Sequence, residues 1–131
     1  MAQSAGFHES LDVLKPETLE RHRAIVSLME ELEAIDWYDQ RVDASGDAEL
    51  RAILAHNRDE EKEHAAMALE WLRRHDAAFD EKLRQYLFID KPVLEREEEL
   101  DQASASEGAS NGASAQDGSL GIGSLREGGR R

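Results

Sequence analysis

The sequence predicts an all-α fold: a long antiparallel two-helix hairpin followed by a short third helix. Three observations predict it. Apolar residues recur at helical spacing, first Leu28, Leu32 and Ile35 with Ile25 close by, then Leu50, Leu54, Ala65, Ala68 and Leu72. A turn signal, Ala44-Ser45-Gly46-Asp47, separates the two stretches. No alternating run of β-branched residues and no hairpin dipeptide marks a strand.

The elements follow in order. Residues 1–15 are polar and read as a flexible N-terminal segment. The first helix is expected from Pro16 to Asp43. Proline suits a first turn, where its missing N–H would be unpaired anyway, and Glu17 and Glu20 suit the positive end of the helix dipole. Asp47 can cap the second helix, expected from Ala48 to His75. Asp76 can cap a third, ending near Asp90, with Phe79, Leu83 and Leu87 on its apolar side. Pro92 interrupts this helix or lets a brief one restart through Glu99. Residues 16–101 form the helical domain. Residues 102–118, rich in Ser, Ala and Gly, read as a flexible linker, because they bury too little apolar surface to offset their ordering entropy. The tail, residues 119–131, turns apolar again at Leu120, Ile122 and Leu125.

Two helices enclose very little. A stable bundle generally needs four, so the hairpin is expected to pair with a second copy.

The composition narrows the partners. The 131 residues carry a formal net charge of −13. Glu107, Asp117 and Glu127 offset Arg126, Arg130 and Arg131, so all of that charge resides in residues 1–101. Such acidity attracts cations and repels nucleic acid and anionic membrane surfaces. There is no cysteine, hence no disulfide, zinc finger or thiolate cluster. The longest apolar runs fall far short of the roughly 20 residues that span a bilayer. The first ten residues lack the basic and apolar regions of a signal peptide, so a cytoplasmic protein is expected.

Helical wheels single out three polar residues. Glu61 falls on the apolar stripe of the second helix, seven residues from both Leu54 and Ala68, and His64 projects about 60° away on the same side. Glu31 lies at the edge of the Leu28–Ile35 face. A carboxylate facing a core needs a counter-charge, and no lysine or arginine obviously faces these. Glu31 and Glu61 are also equidistant from Gly46, which places both roughly 22 Å from the turn. A carboxylate on one helix and Glu-x-x-His on the next is half of a carboxylate-bridged di-iron or di-manganese bundle site. Two chains about a two-fold axis would supply four carboxylates and two imidazoles, whose charge balances two Fe(II) ions. Glu-x-x-His alone also occurs by chance in many acidic helices as solvated surface, and Glu60, Lys62 and Glu63 around it fit that reading.

Two stretches carry a family resemblance. Arg21-His22-Arg23-Ala24-Ile25-Val26-Ser27, Met29-Glu30-Glu31-Leu32-Glu33-Ala34 and Asp36-Trp37-Tyr38, with His56-Asn57-Arg58-Asp59-Glu60-Glu61-Lys62-Glu63-His64-Ala65, resemble the encapsulated ferritins from about Leu14 to Pro92. Separately, Gly118-Ser119-Leu120-Gly121-Ile122-Gly123-Ser124-Leu125 is similar to the peptide by which encapsulin cargo docks inside its shell.

The resemblance implies a ferritin-like four-helix bundle remade by dimerisation, and a further ring, a homodecamer. It implies a ferroxidase that oxidises Fe(II) to Fe(III) at a di-iron centre between two subunits, with Glu31, Glu61 and His64 as metal ligands. Glu30 and Glu33 would form an acidic metal entrance with Trp37 beside it, and Tyr38 would lie near the metals. Leu120, Ile122 and Leu125 would grip an encapsulin shell protein, which would store the iron and place this protein inside a nanocompartment. Two other readings stay open at this point. The carboxylates could bind metal only for assembly, or the site could serve another di-metal oxidase, such as a manganese enzyme.

Overall fold

A computed structural model describes residues 6–108 and shows an all-helical chain with no strand among those residues. The first helix, α1, spans Pro16–Ala44 with Pro16 in its first turn. Its last turn carries Arg41, whose cation suits the negative end of the dipole, and whose carbonyl accepts the Ser45 N–H.

The turn is three residues long, Ser45-Gly46-Asp47. Ser45 Oγ accepts the Asp47 N–H at 3.3 Å. Asp47 Oδ1 in turn accepts the Leu50 N–H at 2.7 Å, which satisfies one of the four free donors that open α2, Ala48–Arg74. These local bonds reverse the chain and lay α2 against α1.

His75 ends α2. Its ring stacks on Trp71, centroids 3.8 Å apart, and its Nδ1 lies 2.8 Å from the Trp71 carbonyl, which would otherwise lack a partner. Asp76 then caps α3, Ala77–Tyr86, by accepting the Phe79 N–H at 3.0 Å. Arg73 bonds both Glu70, at 2.6 Å, and Asp80, and so ties α2 to α3. Arg73 and Arg74 together pull the Glu70 carboxyl down to about 2.

The hairpin has almost no interior of its own. Ala65 and Leu72 are its buried apolar residues, while Ile25, Leu32, Trp37, Leu50, Ile53 and Met67 are about half exposed.

Three expectations are corrected. Residues 6–15 are not featureless: Leu11–Val13 form a 3-10 turn, and Phe7 packs on His22 of α1 with centroids 4.3 Å apart. The third helix stops at Tyr86, not near Asp90, because Phe88 takes a left-handed φ of 58° that no right-handed helix accommodates. The helix that restarts after Pro92, α4, covers residues 93–108, well past Glu99, so residues 102–108 are helical where a linker was expected. Ala103 and Ala105, strong helix formers, let it continue.

The chain divides into two units, one up to Arg84 and one from Gln85. Within the second unit, Arg96 donates to the Gln85 carbonyl at 2.8 Å, and Lys91 pairs with Glu99 at 2.6 Å. The rest of the expected linker, and Leu120, Ile122 and Leu125, lie outside the described residues.

Candidate metal centre

Glu31 sits midway along α1. Glu61 and His64 sit midway along α2, one turn apart on one face. The short turn sets the two helices at matching heights, and the three side chains meet. Each offers one ligand atom, and those atoms all lie within 4.8 Å of one another. His64 Nδ1 is 3.4 Å from Glu61 Oε2 and 3.8 Å from Glu31 Oε2. Both carboxylates are partly covered by the hairpin and His64 is exposed, so the cluster opens outward from the chain.

Electrostatics couples the two acids. Glu31 is raised above the ordinary glutamate range, first by its hydrogen bond to Glu61, then by burial and by the charges of Glu61 and Glu30. Glu61 is lowered, first by the hydrogen bond from Glu31 and next by His64. Two adjacent carboxylates resist ionising together, so Glu31 holds its proton to higher pH than an ordinary glutamate and Glu61 loses its own at lower pH. No arginine or lysine contributes to either shift. Two carboxylates and an imidazole, short of a cation, are a donor set that suits iron or manganese.

The remaining expected residues fall outside this cluster. Glu30 and Glu33 are exposed on α1, and Glu30 reaches the cluster through its charge on Glu31. Trp37 is half-exposed and lines an open depression of about 460 Å³ with Gln40, Arg41 and Ala44. Tyr38 is half-buried, with the Arg41 guanidinium 5.4 Å from its ring centroid. His22, His56 and His75 are engaged elsewhere, with Phe7, Glu60 and Trp71. Sequence reasoning missed Arg58 and Asp39, which pair across the hairpin at 2.9 Å. Nothing in a charge-rich sequence marks one such pair among many.

The EncFtn-like family profile matches residues 6–90. The chain belongs to the EncFtn-like family. It is 67% identical over 130 residues to the encapsulated ferritin-like protein of Rhodospirillum rubrum, covering 96% of this chain and 92% of that one. It is 51% identical over 106 residues to a ferritin-like protein of Thermotoga maritima, covering 81% and 93%. An encapsulin nanocompartment cargo protein of Myxococcus xanthus is 40% identical over 77 residues, 58% of each chain. Among solved structures, a protein of Nitrosomonas europaea superposes with a TM-score of 0.65 at 64% identity, over 67% of this chain and 97% of that one. The resemblance to encapsulated ferritins read from the sequence is therefore borne out. Among the described residues of this EncFtn-like chain, no helix is long and apolar enough to cross a membrane.

Proposed function

We propose that this chain is a ferroxidase subunit that carries half of a di-iron centre, and that a two-fold partner supplies the other half. The observation that carries the reading is the meeting of Glu31, Glu61 and His64 at mid-hairpin as an outward-facing, cation-poor donor set. Three ligand groups are too few for an iron pair. A second hairpin against the same face would double them to four carboxylates and two imidazoles.

The residues then have distinct tasks. Glu31 and Glu61 ligate as carboxylates, and the cation's charge offsets the repulsion that raises Glu31. His64 turns Nδ1 toward the carboxylates and ligates in the neutral tautomer that holds its proton on Nε2. Glu30 and Glu33 add negative charge on α1 that favours the approach of Fe(II). Trp37 and Tyr38, on the same helix, border that approach. Fe(II) is the substrate: each ion yields one electron, and dioxygen or peroxide accepts the pair. The family resemblance supports a ring of ten such chains.

The names of the Rhodospirillum and Myxococcus relatives support work inside an encapsulin shell. The apolar tail residues Leu120, Ile122 and Leu125 are the segment we assign to docking there. An open ring of hairpins holds little mineral, so the shell would be the store.

The test is oxygen consumption on adding Fe(II). Glu31→Ala, Glu61→Ala and His64→Ala should each fall close to the buffer rate; wild-type rates in all three would remove the site. Wild-type protein that binds iron yet oxidises it no faster than buffer would favour a metal role in assembly alone. Removing residues 119–131 should leave oxidation intact and end co-purification with a shell protein.

A further inference from the structure

The three-residue turn sets α1 and α2 level at one end of the hairpin, and farther from it Ala65 and Leu72 are the buried apolar residues among those described. A slide of one residue would move Glu61 about 1.5 Å relative to Glu31. Glu31 and Glu61 each lie fifteen residues from Gly46, so directional contacts between the helices are needed to hold that height away from the turn. Among the described residues, two ion pairs join α1 to α2: His64 with Glu31 inside the cluster, and Arg58 with Asp39.

We propose that Arg58 and Asp39 form an inter-helix clamp that fixes the axial register of α2 on α1, and so the height at which Glu31 meets Glu61 and His64. Helical side chains lean toward their own N-terminus. In antiparallel helices Arg58 therefore leans toward the turn and Asp39 leans away from it, and the two approach each other. Arg58 Nη1 bonds Asp39 Oδ1 at 2.9 Å, and its Nε bonds Asp59 Oδ1 at 3.2 Å. Asp59 also accepts from Lys62 at 3.4 Å. The guanidinium is thus anchored on α2 by its neighbour while it reaches across to α1. Arg58 is the least exposed member of this group. Exposed ion pairs add little stability. Here the pair holds the register that the turn sets, at a point closer to the cluster than the turn itself.

Arg58 lies one turn before Glu61, so it is a positioning residue for the proposed metal site and rests on that reading. The alternative is a plain charge effect, and the two differ in sign. Loss of a nearby cation should strengthen metal binding, while loss of a nearby anion should weaken it. The clamp predicts that Arg58→Gln and Asp39→Asn both weaken it.

The experiment titrates the full chain with Co(II), reading affinity by calorimetry and ligand geometry by visible absorption. Helix content and oligomer mass are checked in parallel. Both single variants should lose about ten- to a hundredfold in affinity, with an altered spectrum and unchanged helicity. Arg58→Lys should recover part of the loss, and the exchanged pair Asp39→Arg with Arg58→Asp should recover most of it. Opposite shifts in the two singles, or an exchanged pair no better than either single, overturn the clamp. Glu61→Ala separates the premises. If it loses Co(II) while Arg58→Gln does not, the clamp alone fails; if Glu61→Ala binds like wild type, the metal site fails with it.

Discussion

Replacing both Ile25 and Leu32 by alanine tests whether a second copy covers this face. The two side chains lie two turns apart on one stripe of α1 and leave 46% and 54% of their surface uncovered. Together that is about one aliphatic side chain, worth roughly 1.5–3 kcal/mol if an interface buries it. A two-fold dimer buries it twice, roughly 3–6 kcal/mol. Alanine keeps the Cβ, so the double variant should lose roughly 2–4 kcal/mol of association free energy. That corresponds to a dimerisation constant weaker by about 30-fold to nearly a thousandfold. Alanine favours helix, which offsets part of the packing that the covered half of each side chain loses within the hairpin, so helix content is checked in parallel. Sedimentation velocity over a dilution series, with and without Fe(II) under anaerobic conditions, measures the shift. Assembly at the same concentration as the unsubstituted chain would show that this stripe faces water in the finished particle, and a partner seated on it would be excluded.

Two further outcomes are expected. Glu31 is raised, so protons compete with metal for it at higher pH than for an ordinary glutamate, and acidification through its raised range should weaken Mn(II) or Co(II) affinity by about tenfold per pH unit; calorimetry at stepped pH showing no loss through that range would exclude Glu31 as a ligand. Without metal the sign for stability divides between the two acids: the raised Glu31 contributes below the ordinary glutamate range and loses this as pH rises through its folded value, whereas the lowered Glu61 contributes above that range and loses this as pH falls. Asp47→Ala should cost about 1 kcal/mol by freeing the Leu50 N–H at the start of α2, read as a lower thermal midpoint with iron oxidation at room temperature retained.

Much of the hairpin was legible because its signals are local. Ser45-Gly46-Asp47 carries turn chemistry and a cap in three consecutive residues, and the helix bounds follow from it within a residue or so. The meeting of Glu31 and Glu61 was legible for a geometric reason: equal spacing from a short turn gives equal height. Less legible was whatever local signals do not encode. The end of α3 depends on Phe88 taking a left-handed conformation, which an aromatic residue does not advertise. The helical stretch 102–108 looks like linker by composition, yet alanines adjoining an existing helix extend it at little cost. Arg58 and Asp39 are nineteen residues apart, and only the crossing of two side chains that lean toward each other connects them.

The near absence of an interior has a bearing on the life of a newly translated copy. With two buried apolar side chains, a solitary hairpin keeps its backbone within easy reach of cellular proteases. On the proposed pairing, copies that find their mates would survive and surplus ones would be cleared, so the protein's abundance would track its completed assemblies and not its rate of synthesis.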